Sequence, residues 1–142
     1  MAEAALVGAG DNCCMMRAAD VRPDDILNAA GYLFVCPENL ASMSGEMKEM
    51  FDRCYYPALG QIEGRPYATI IAAGSDGAGA QAQIDRIVKG WRLKRVFDPF
   101  IVNFQAQTPD AILAKKSVGY EDICHCQELG LAFSEGLKLG IY

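Results

Sequence analysis

Residues 32–53 of the chain are YLFVCPENLASMSGEMKEMFDR. The first five form a continuous apolar run without polar alternation, which is typical of a parallel β-strand that helices cover on both faces. Pro37 ends the run, and beyond the loop that follows, apolar residues recur at the spacing of an amphipathic helix: Met47, Met50, Phe51 and Cys54. This stretch therefore predicts a strand, a loop and a helix in succession.

The same succession occurs a second time. Residues 67–73 are another continuous apolar run, which ends at Gly74, and a helical pattern follows it: Ala80, Ile84, Ile87, Val88 and Trp91. Two consecutive units of this kind predict a parallel sheet with right-handed crossover connections. The predicted fold class is therefore α/β, with a single domain over residues 1–142.

Weaker signals flank these two units. Residues 13–18 are a candidate strand, and residues 23–30 predict a short helix that begins at a proline followed by acids. Residues 96–102 predict a strand at the edge of the sheet, because Pro99 cannot donate to a ladder. A final helix is predicted over residues 120–139. It would cover one sheet face with an apolar stripe of Ile123, Cys126, Gly130, Phe133 and Leu137.

Composition and charge exclude several function classes. The 142 residues are 51% apolar and 22% charged, with a formal net charge of -5, which fits a folded globular domain. Acids are spread along the chain and adjacent basic residues are few, so we expect no nucleic-acid partner. No apolar run approaches the roughly 20 residues that a membrane span needs, and residues 1–10 lack a secretion signal. We therefore expect no membrane partner and a cytoplasmic location.

The cysteines and the single histidine predict neither disulfides nor a metal site. The six cysteines lie mostly in apolar stretches, so we expect buried free thiols: Cys13, Cys14, Cys36, Cys54, Cys124 and Cys126. Cys124, His125 and Cys126 raise a metal hypothesis, but neighbours on a helix diverge by about 100° per residue. Because no second cluster completes the four ligands that zinc takes, we expect no metal ion. His125 also has no partner that would make it a catalytic base.

Two loops occupy the position where open parallel sheets bind ligands, beyond the carboxyl ends of the strands. The first covers residues 37–45 and leads into a helix that Ser42 or Ser44 can cap. The second covers residues 74–79, whose glycines let the main chain approach a ligand closely. We predict that the two loops lie side by side and hold a flat, hydrogen-bonding ring.

Each feature of these loops also has a simpler interpretation. Glycines after a strand often do no more than turn the chain, and the second loop lacks the fixed spacing of the dinucleotide fingerprint. The carboxylates Glu38 and Asp76 can be solvated loop residues rather than catalytic acids. Three methionines fit core fillers better than ligand contacts: Met43, Met47 and Met50.

Residues 32–53 resemble the flavodoxin-like NAD(P)H-dependent FMN reductases. In that family a strand ends in a proline-containing loop, and a Met-Ser-Gly leads into a helix with a Lys and a Phe-Asp-Arg, as at residues 43–53. Residues 64–66 before the next strand and residues 73–77 after it are similar too. The resemblance implies a flavodoxin-like three-layer α/β sandwich with a parallel sheet of strand order 2-1-3-4-5.

The resemblance also implies a cofactor and a reaction. FMN would lie across the carboxyl ends of the strands, and a hydride would pass from NAD(P)H through the flavin to a quinone, a flavin or a similar small-molecule acceptor. Because the flavin performs the redox step, no catalytic side chain is expected. A homodimer is the candidate assembly. The cofactor-binding residues implied are Pro37, Glu38, Asn39, Leu40, Ala41, Ser42, Met43, Gly74, Ser75, Asp76, Gly77 and Gly79.

One departure from the family pattern concerns the beginning of the chain. The family starts with a strand and a phosphate-binding loop, whereas residues 1–6 resemble the helix after that loop. We therefore expect an N-terminally truncated domain without the first strand. Residues 8–12 offer no substitute, because Asp11 would repel a phosphate. We expect residues 13–18 to pair beside residues 32–36, or another chain to fill the slot, since buried ladder groups need partners.

Two alternative functions stay open. A flavodoxin-type electron carrier would hold its flavin between aromatic side chains and have a more acidic surface. Neither loop contains an aromatic residue and the net charge is moderate, which favours the reductase. The lack of a phosphate-binding loop makes a flavin-free remnant of the fold the other alternative.

Overall fold

The computed structural model describes residues 1–11 and 13–142 as a β-sheet with helices on both faces. Asn12, at the end of the stretch considered as a phosphate-binding substitute, lies outside the described residues. The elements are α1 (Ala2–Ala9), α2 (Pro23–Asn28), β1 (Tyr32–Asn39), β2 (Ser42–Met43), α3 (Gly45–Ala58), β3 (Pro66–Ala73), α4 (Ala78–Gly90), β4 (Lys94–Arg95), β5 (Phe100–Asn103), α5 (Pro109–Leu113) and α6 (Tyr120–Lys138). The predicted α/β class is confirmed.

The parallel strands β1, β3 and β5 form the main part of the sheet. β1 pairs with β3 from Tyr32 opposite Tyr67 to Pro37 opposite Ala72. β5 pairs with the second half of β3, and the two-residue β4 pairs with its start. β2 is antiparallel to the last two residues of β1. The carboxyl ends of β1, β3 and β5 therefore meet at one edge of the sheet, which we call the carboxyl rim.

Each face of the sheet is covered by its own hydrophobic core. On one face, Trp91 is fully buried among residues of α2, α3 and α4. Its indole N–H donates to the carbonyl of Tyr55 at 3.0 Å. On the other face, α1 and α6 pack over Ala68 and Ile70 of β3. The predicted apolar stripe of the final helix lies on this face, so its role as a sheet cover is confirmed.

The predicted strand over residues 13–18 is wrong. These residues adopt no strand, and Met15 and Met16 are 49% and 42% exposed. Arg53 on α3 instead holds the turn that follows, donating to the carbonyl of Ala18 at 2.8 Å. Apolar content favours a strand only where a neighbouring strand provides ladder partners and a core covers its side chains, and neither condition is met here.

The outer edge of β1 has no strand partner along Tyr32 to Pro37 within the described residues. The predicted pairing of residues 13–18 with this edge is therefore wrong. The other expectation, that another chain fills the slot, stays a prediction.

Two further expectations need correction. The strand expected over residues 96–102 is interrupted, because Pro99 has a fixed φ and lacks an N–H, and β5 begins only at Phe100. β5 still lies at the edge of the sheet, as predicted, since β3 is its only partner among the described strands. All six cysteines are free, but only Cys36, Cys54 and Cys126 are buried.

None of the helices in the described part of the chain is long and apolar enough to cross a membrane.

Candidate functional site

The two predicted loops lie against each other at the carboxyl rim. The loop predicted over residues 37–45 is wrong in part, because residues 37–39 continue β1 and Ser42–Met43 form β2, with a tight turn at Leu40 and Ala41 between the two strands. β2 packs against α4, the helix after the second loop. At Gly79 the main chain comes so close to Ala41 that a Cβ would overlap its carbonyl oxygen and lie 2.9 Å from its carbonyl carbon. The predicted juxtaposition of the two loops is confirmed, whereas their part in binding a cofactor stays a prediction.

Glu38 links the two loops directly. One carboxylate oxygen accepts the N–H of Gly77 at 2.6 Å, and the other accepts the N–H of Ala80 at 3.2 Å. Both donors belong to the start of α4, where N–H groups lack intrahelical partners and the helix dipole favours an anion. Glu38 is therefore a cap for α4 supplied by the other loop, and its interpretation as a solvated carboxylate is wrong. Asp76, which is exposed and bonds only the nearby Ala78 N–H at 3.3 Å, fits that interpretation.

A second set of hydrogen bonds joins β2 to α4. The side-chain oxygen of Gln83 accepts the N–H of Met43 at 3.0 Å, and its side-chain nitrogen donates to the hydroxyl of Ser42 at 3.3 Å. The Met43 side chain is buried in the core with those of Met47 and Met50, so the interpretation of these methionines as core fillers is confirmed. Of the two serines considered as caps, Ser44 caps α3, because its hydroxyl accepts the Met47 N–H at 3.4 Å.

The turn between β1 and β2 has a strained backbone. Leu40 and Ala41 have φ values of 51° and 57°, in the left-handed region that suits Asn and Gly in two-residue hairpin turns. The Leu40 side chain at the tip of the turn is fully exposed. The turn is therefore held in place by its surroundings, chiefly the bonds to Gln83 and the contact with Gly79, rather than by local preference.

Replacing Ala41 with Gly is expected to raise the free energy of unfolding by about 0.5–1 kcal/mol, since glycine adopts positive φ without the Cβ penalty. Urea denaturation would measure the change. Ala82→Gly is the control, because Ala82 is exposed within α4 and glycine there is expected to cost about 1 kcal/mol. Equal destabilisation by both substitutions would show that the turn is not strained.

A cavity of about 490 Å³ opens at the carboxyl rim. Its volume falls within the roughly 300–1,000 Å³ typical of small-molecule sites. Three predicted cofactor-binding residues line it, namely Pro37, Glu38 and Gly74, while the other nine lie outside its lining. A Cβ built on Gly74 would meet nothing within 4 Å, so the main chain there is open to the cavity. The remaining lining residues are Met1, Val35, Cys36, Ala72, Ala73, Phe104, Lys116 and Val118.

Sequence reasoning missed the side of the cavity formed by the chain after β5. Phe104 directly follows β5, and its N–H donates to the Ala73 carbonyl at 2.9 Å. β5 also ends at the carboxyl rim. The end of the strand predicted over residues 96–102 could therefore have indicated that Phe104 lies at the site. Lys116 had no such signal, since its position depends on bonds from its ammonium to the carbonyls of Ile112 at 3.0 Å and Ala114 at 2.6 Å.

Cys36 is the one thiol among the described residues that line the cavity. Burial is the main cause that raises the pKa of the Cys36 thiol, so this residue is a neutral thiol at neutral pH. Across residues 1–11 and 13–142, no group of three or more His, Cys, Asp and Glu side chains is placed to hold a metal ion. The arrangement instead offers main-chain groups, apolar walls and one cation, Lys116, among its described lining residues.

A family model described as NADPH-dependent FMN reductase matches residues 15–104, which include both loops and the strands before them. The chain belongs to the NADPH-dependent FMN reductase family. The resemblance noted for residues 32–53 is thereby confirmed, and the general class of the protein is a flavin-binding oxidoreductase. Among curated protein sequences, none matches this chain.

Solved structures agree with this family in fold. A flavodoxin from the domain Archaea is 16% identical with a TM-score of 0.67, covering 85% of this chain and 74% of that one. A flavodiiron protein from Giardia intestinalis is 16% identical with a TM-score of 0.72, covering 97% of this chain and 32% of that one. A flavone reductase is 18% identical with a TM-score of 0.68, covering 96% and 57%. The chain therefore spans less than two thirds of the last two proteins.

These similarities establish a flavodoxin-like fold. The parallel strands β1, β3 and β5 are adjacent in that order, which corresponds to the last three positions of the predicted order 2-1-3-4-5. The predicted fold class is confirmed to that extent.

Proposed function

We propose that the protein binds FMN at the carboxyl rim and uses it to transfer a hydride from NAD(P)H to a small-molecule acceptor such as a quinone or a flavin. The observation that supports this most directly is the link from Glu38 to Gly77 and Ala80, which holds the two loops side by side. In this arrangement the first loop would flank one side of the isoalloxazine ring and the second loop the other.

The residues at the rim fit a flavin ring. The cavity has mostly apolar walls, including Val35, Phe104 and Val118, which suit a flat aromatic ring. Gly74 leaves space for the ring to approach the main chain closely, and its N–H could bond the polar edge of the ring, whereas its carbonyl already accepts the Ala106 N–H at 2.7 Å. The side chain of Asn103 fixes the same loop by donating to the Ser75 carbonyl at 2.7 Å. Lys116 is the one cationic side chain among the described lining residues, and its ammonium already donates to the carbonyls of Ala111, Ile112 and Ala114. It would therefore offer the phosphate a positive charge rather than a free N–H.

When bound, FMN supplies the redox chemistry, because its ring accepts a hydride and passes electrons onward. The chain contributes binding and orientation. Glu38 links the two loops, and the apolar lining residues would shield the ring face that packs against them from water. The neutral Cys36 thiol adds no competing nucleophile.

Titration of the purified protein with FMN, followed by absorbance and fluorescence, tests this proposal. Binding is expected to change the flavin spectrum and to quench its fluorescence. Anaerobic addition of NADPH is then expected to bleach the bound flavin. A folded protein that leaves the FMN spectrum unchanged would contradict the proposal and favour the flavin-free remnant. A bound flavin that dithionite reduces but NADH and NADPH do not would favour the electron carrier.

A further inference from the structure

A second cavity, of about 630 Å³, lies at the end of the sheet opposite the carboxyl rim. Tyr67 near the start of β3 lines it, and six residue steps separate Tyr67 from Ala73 at the rim, about 20 Å at 3.3 Å per residue. We call this cavity the basic groove. It is lined by Tyr67, Asp85, Lys89, Arg92, Leu93 and Arg95.

Positive charge is concentrated at the basic groove. Residues 86–95 contain five of the chain's 13 lysines and arginines and no Asp or Glu, although the whole chain has a net charge of -5. Three of these cations line the groove: Lys89, Arg92 and Arg95. Such a local excess attracts anions to an otherwise acidic protein.

Asp85, the one acid that lines the groove, is already engaged. Its carboxylate accepts hydrogen bonds from the Tyr67 hydroxyl at 2.8 Å, the Gln81 side chain at 2.9 Å and Arg95 at 3.0 Å. Burial is the main cause that raises the pKa of Tyr67, so its hydroxyl stays a neutral donor to Asp85. Arg95 is thereby held in place, and its guanidinium has further N–H groups beyond the one that Asp85 accepts.

Arg92 occupies a backbone position that favours glycine. Its φ is 55°, and its N–H donates to the Lys89 carbonyl while that of Leu93 donates to the Val88 carbonyl, both at 3.1 Å. This is the Schellman pattern, whose left-handed residue is usually Gly.

The ion pair of Arg92 does not explain why arginine is present there. Among the described residues Arg92 pairs only with Glu63, at 3.1 Å, and the two side chains are 73% and 46% exposed. Exposed pairs of this kind contribute little to stability. An arginine in a costly conformation whose charged group makes only this exposed ion pair among the described residues points to a role for its charge.

We propose that the basic groove binds the phosphate group of a small phosphorylated ligand. The planar guanidinium groups of Arg92 and Arg95 match phosphate oxygens in pairs, and Lys89 adds a mobile point charge. The side chain of Leu93 forms an apolar wall for the organic part of the ligand, beside Tyr67, which is only 5% exposed. The proposal goes beyond the flavin function, since it uses none of the residues at the carboxyl rim.

Isothermal titration calorimetry at constant ionic strength tests the proposal, with inorganic phosphate, adenosine 5′-monophosphate and adenosine as probes. We expect both phosphate compounds to bind and adenosine not to bind. If the monophosphate binds more tightly than inorganic phosphate, the wall contacts the organic part of the ligand. If the two bind equally, the groove recognises the phosphate anion alone. Both results support phosphate recognition.

Three variants test whether phosphate affinity depends on the residues of the groove rather than on positive charge elsewhere on the surface. Lys89→Gln and Arg92→Gly are each expected to weaken phosphate binding at least tenfold. Arg86→Gln, which removes the same charge from an exposed position on α4 outside the groove lining, is expected to change it less than twofold. Arg92→Gly is expected to melt at or above the wild-type temperature, so that its loss of binding cannot be attributed to unfolding. Absence of phosphate binding in the wild type, or equal loss in Arg86→Gln, would overturn the proposal.

Discussion

Replacing Glu38 with Gln is expected to lower the free energy of unfolding by about 1–3 kcal/mol, because it removes the charge from two hydrogen bonds at the start of α4. The Glu38 carboxylate accepts from Gly77 and Ala80 at once, and each of its oxygens bonds one of them. Glutamine retains only one good acceptor, so one N–H of the helix start loses its partner. Urea denaturation of both proteins would measure the difference.

The same substitution is expected to weaken FMN binding about tenfold or more, equivalent to about 1.4 kcal/mol, since the loops on the two sides of the proposed site lose their link. Glu46→Gln is the matched control, because Glu46 is an exposed acid in the first turn of α3 whose ion-pair partner is Arg17, at 3.5 Å, rather than a group of the second loop. The control is expected to stay within about 0.5 kcal/mol of wild type. If Glu38→Gln behaves like the control in both measurements, the link does not organise the site.

The second large effect is expected for Gly79→Ala, which places a methyl group where the first loop already lies. The new Cβ would overlap the carbonyl oxygen of Ala41 and approach an oxygen of Glu38 at 3.2 Å. Because the overlap is with backbone, it cannot be relieved by a side-chain rotation, and the loops must separate. Overpacking of this kind costs about 1–3 kcal/mol, sometimes more. We also expect FMN affinity to fall at least as much as in the Glu38 variant.

Gly45→Ala is the control for this substitution. Both glycines lie in the first turn of a helix, Gly45 in α3 and Gly79 in α4. Unlike a Cβ on Gly79, a Cβ on Gly45 would meet nothing within 4 Å. Its replacement is expected to leave stability unchanged or raise it by up to about 1 kcal/mol. Normal stability and normal FMN affinity of Gly79→Ala would show that the close approach of the loops is not required.

The central strands could be predicted from the sequence because their signal is local. The apolar runs that became β1 and β3 begin and end close to the strands, so length and composition were sufficient to place them, although β1 continues past Pro37 to Asn39. Residues 13–18 show where such a signal fails. Their apolar content resembles that of a strand, but a strand needs a partner with which to form a ladder, and the folded chain places none beside them.

The position of the candidate site followed from one general rule, that parallel strands end at the same edge of a sheet. The rule predicts that the two loops are neighbours, and the contact of Gly79 with Ala41 confirms it. It does not predict which atoms meet. Glu38 lies 39 residues from Gly77 and 42 from Ala80, and no periodicity relates positions so far apart.

Patterns within short segments were thus sufficient for the α/β class, the two central strands and the rim where the loops meet, because helix and strand periods depend on neighbouring residues. Three features emerged only from the folded chain. They are the capping of α4 by Glu38, the part of Lys116 in the rim cavity, and the meeting of Lys89, Arg92 and Arg95 in the basic groove. These contacts join groups from different elements, and their distances are set by how the helices and loops pack on the sheet.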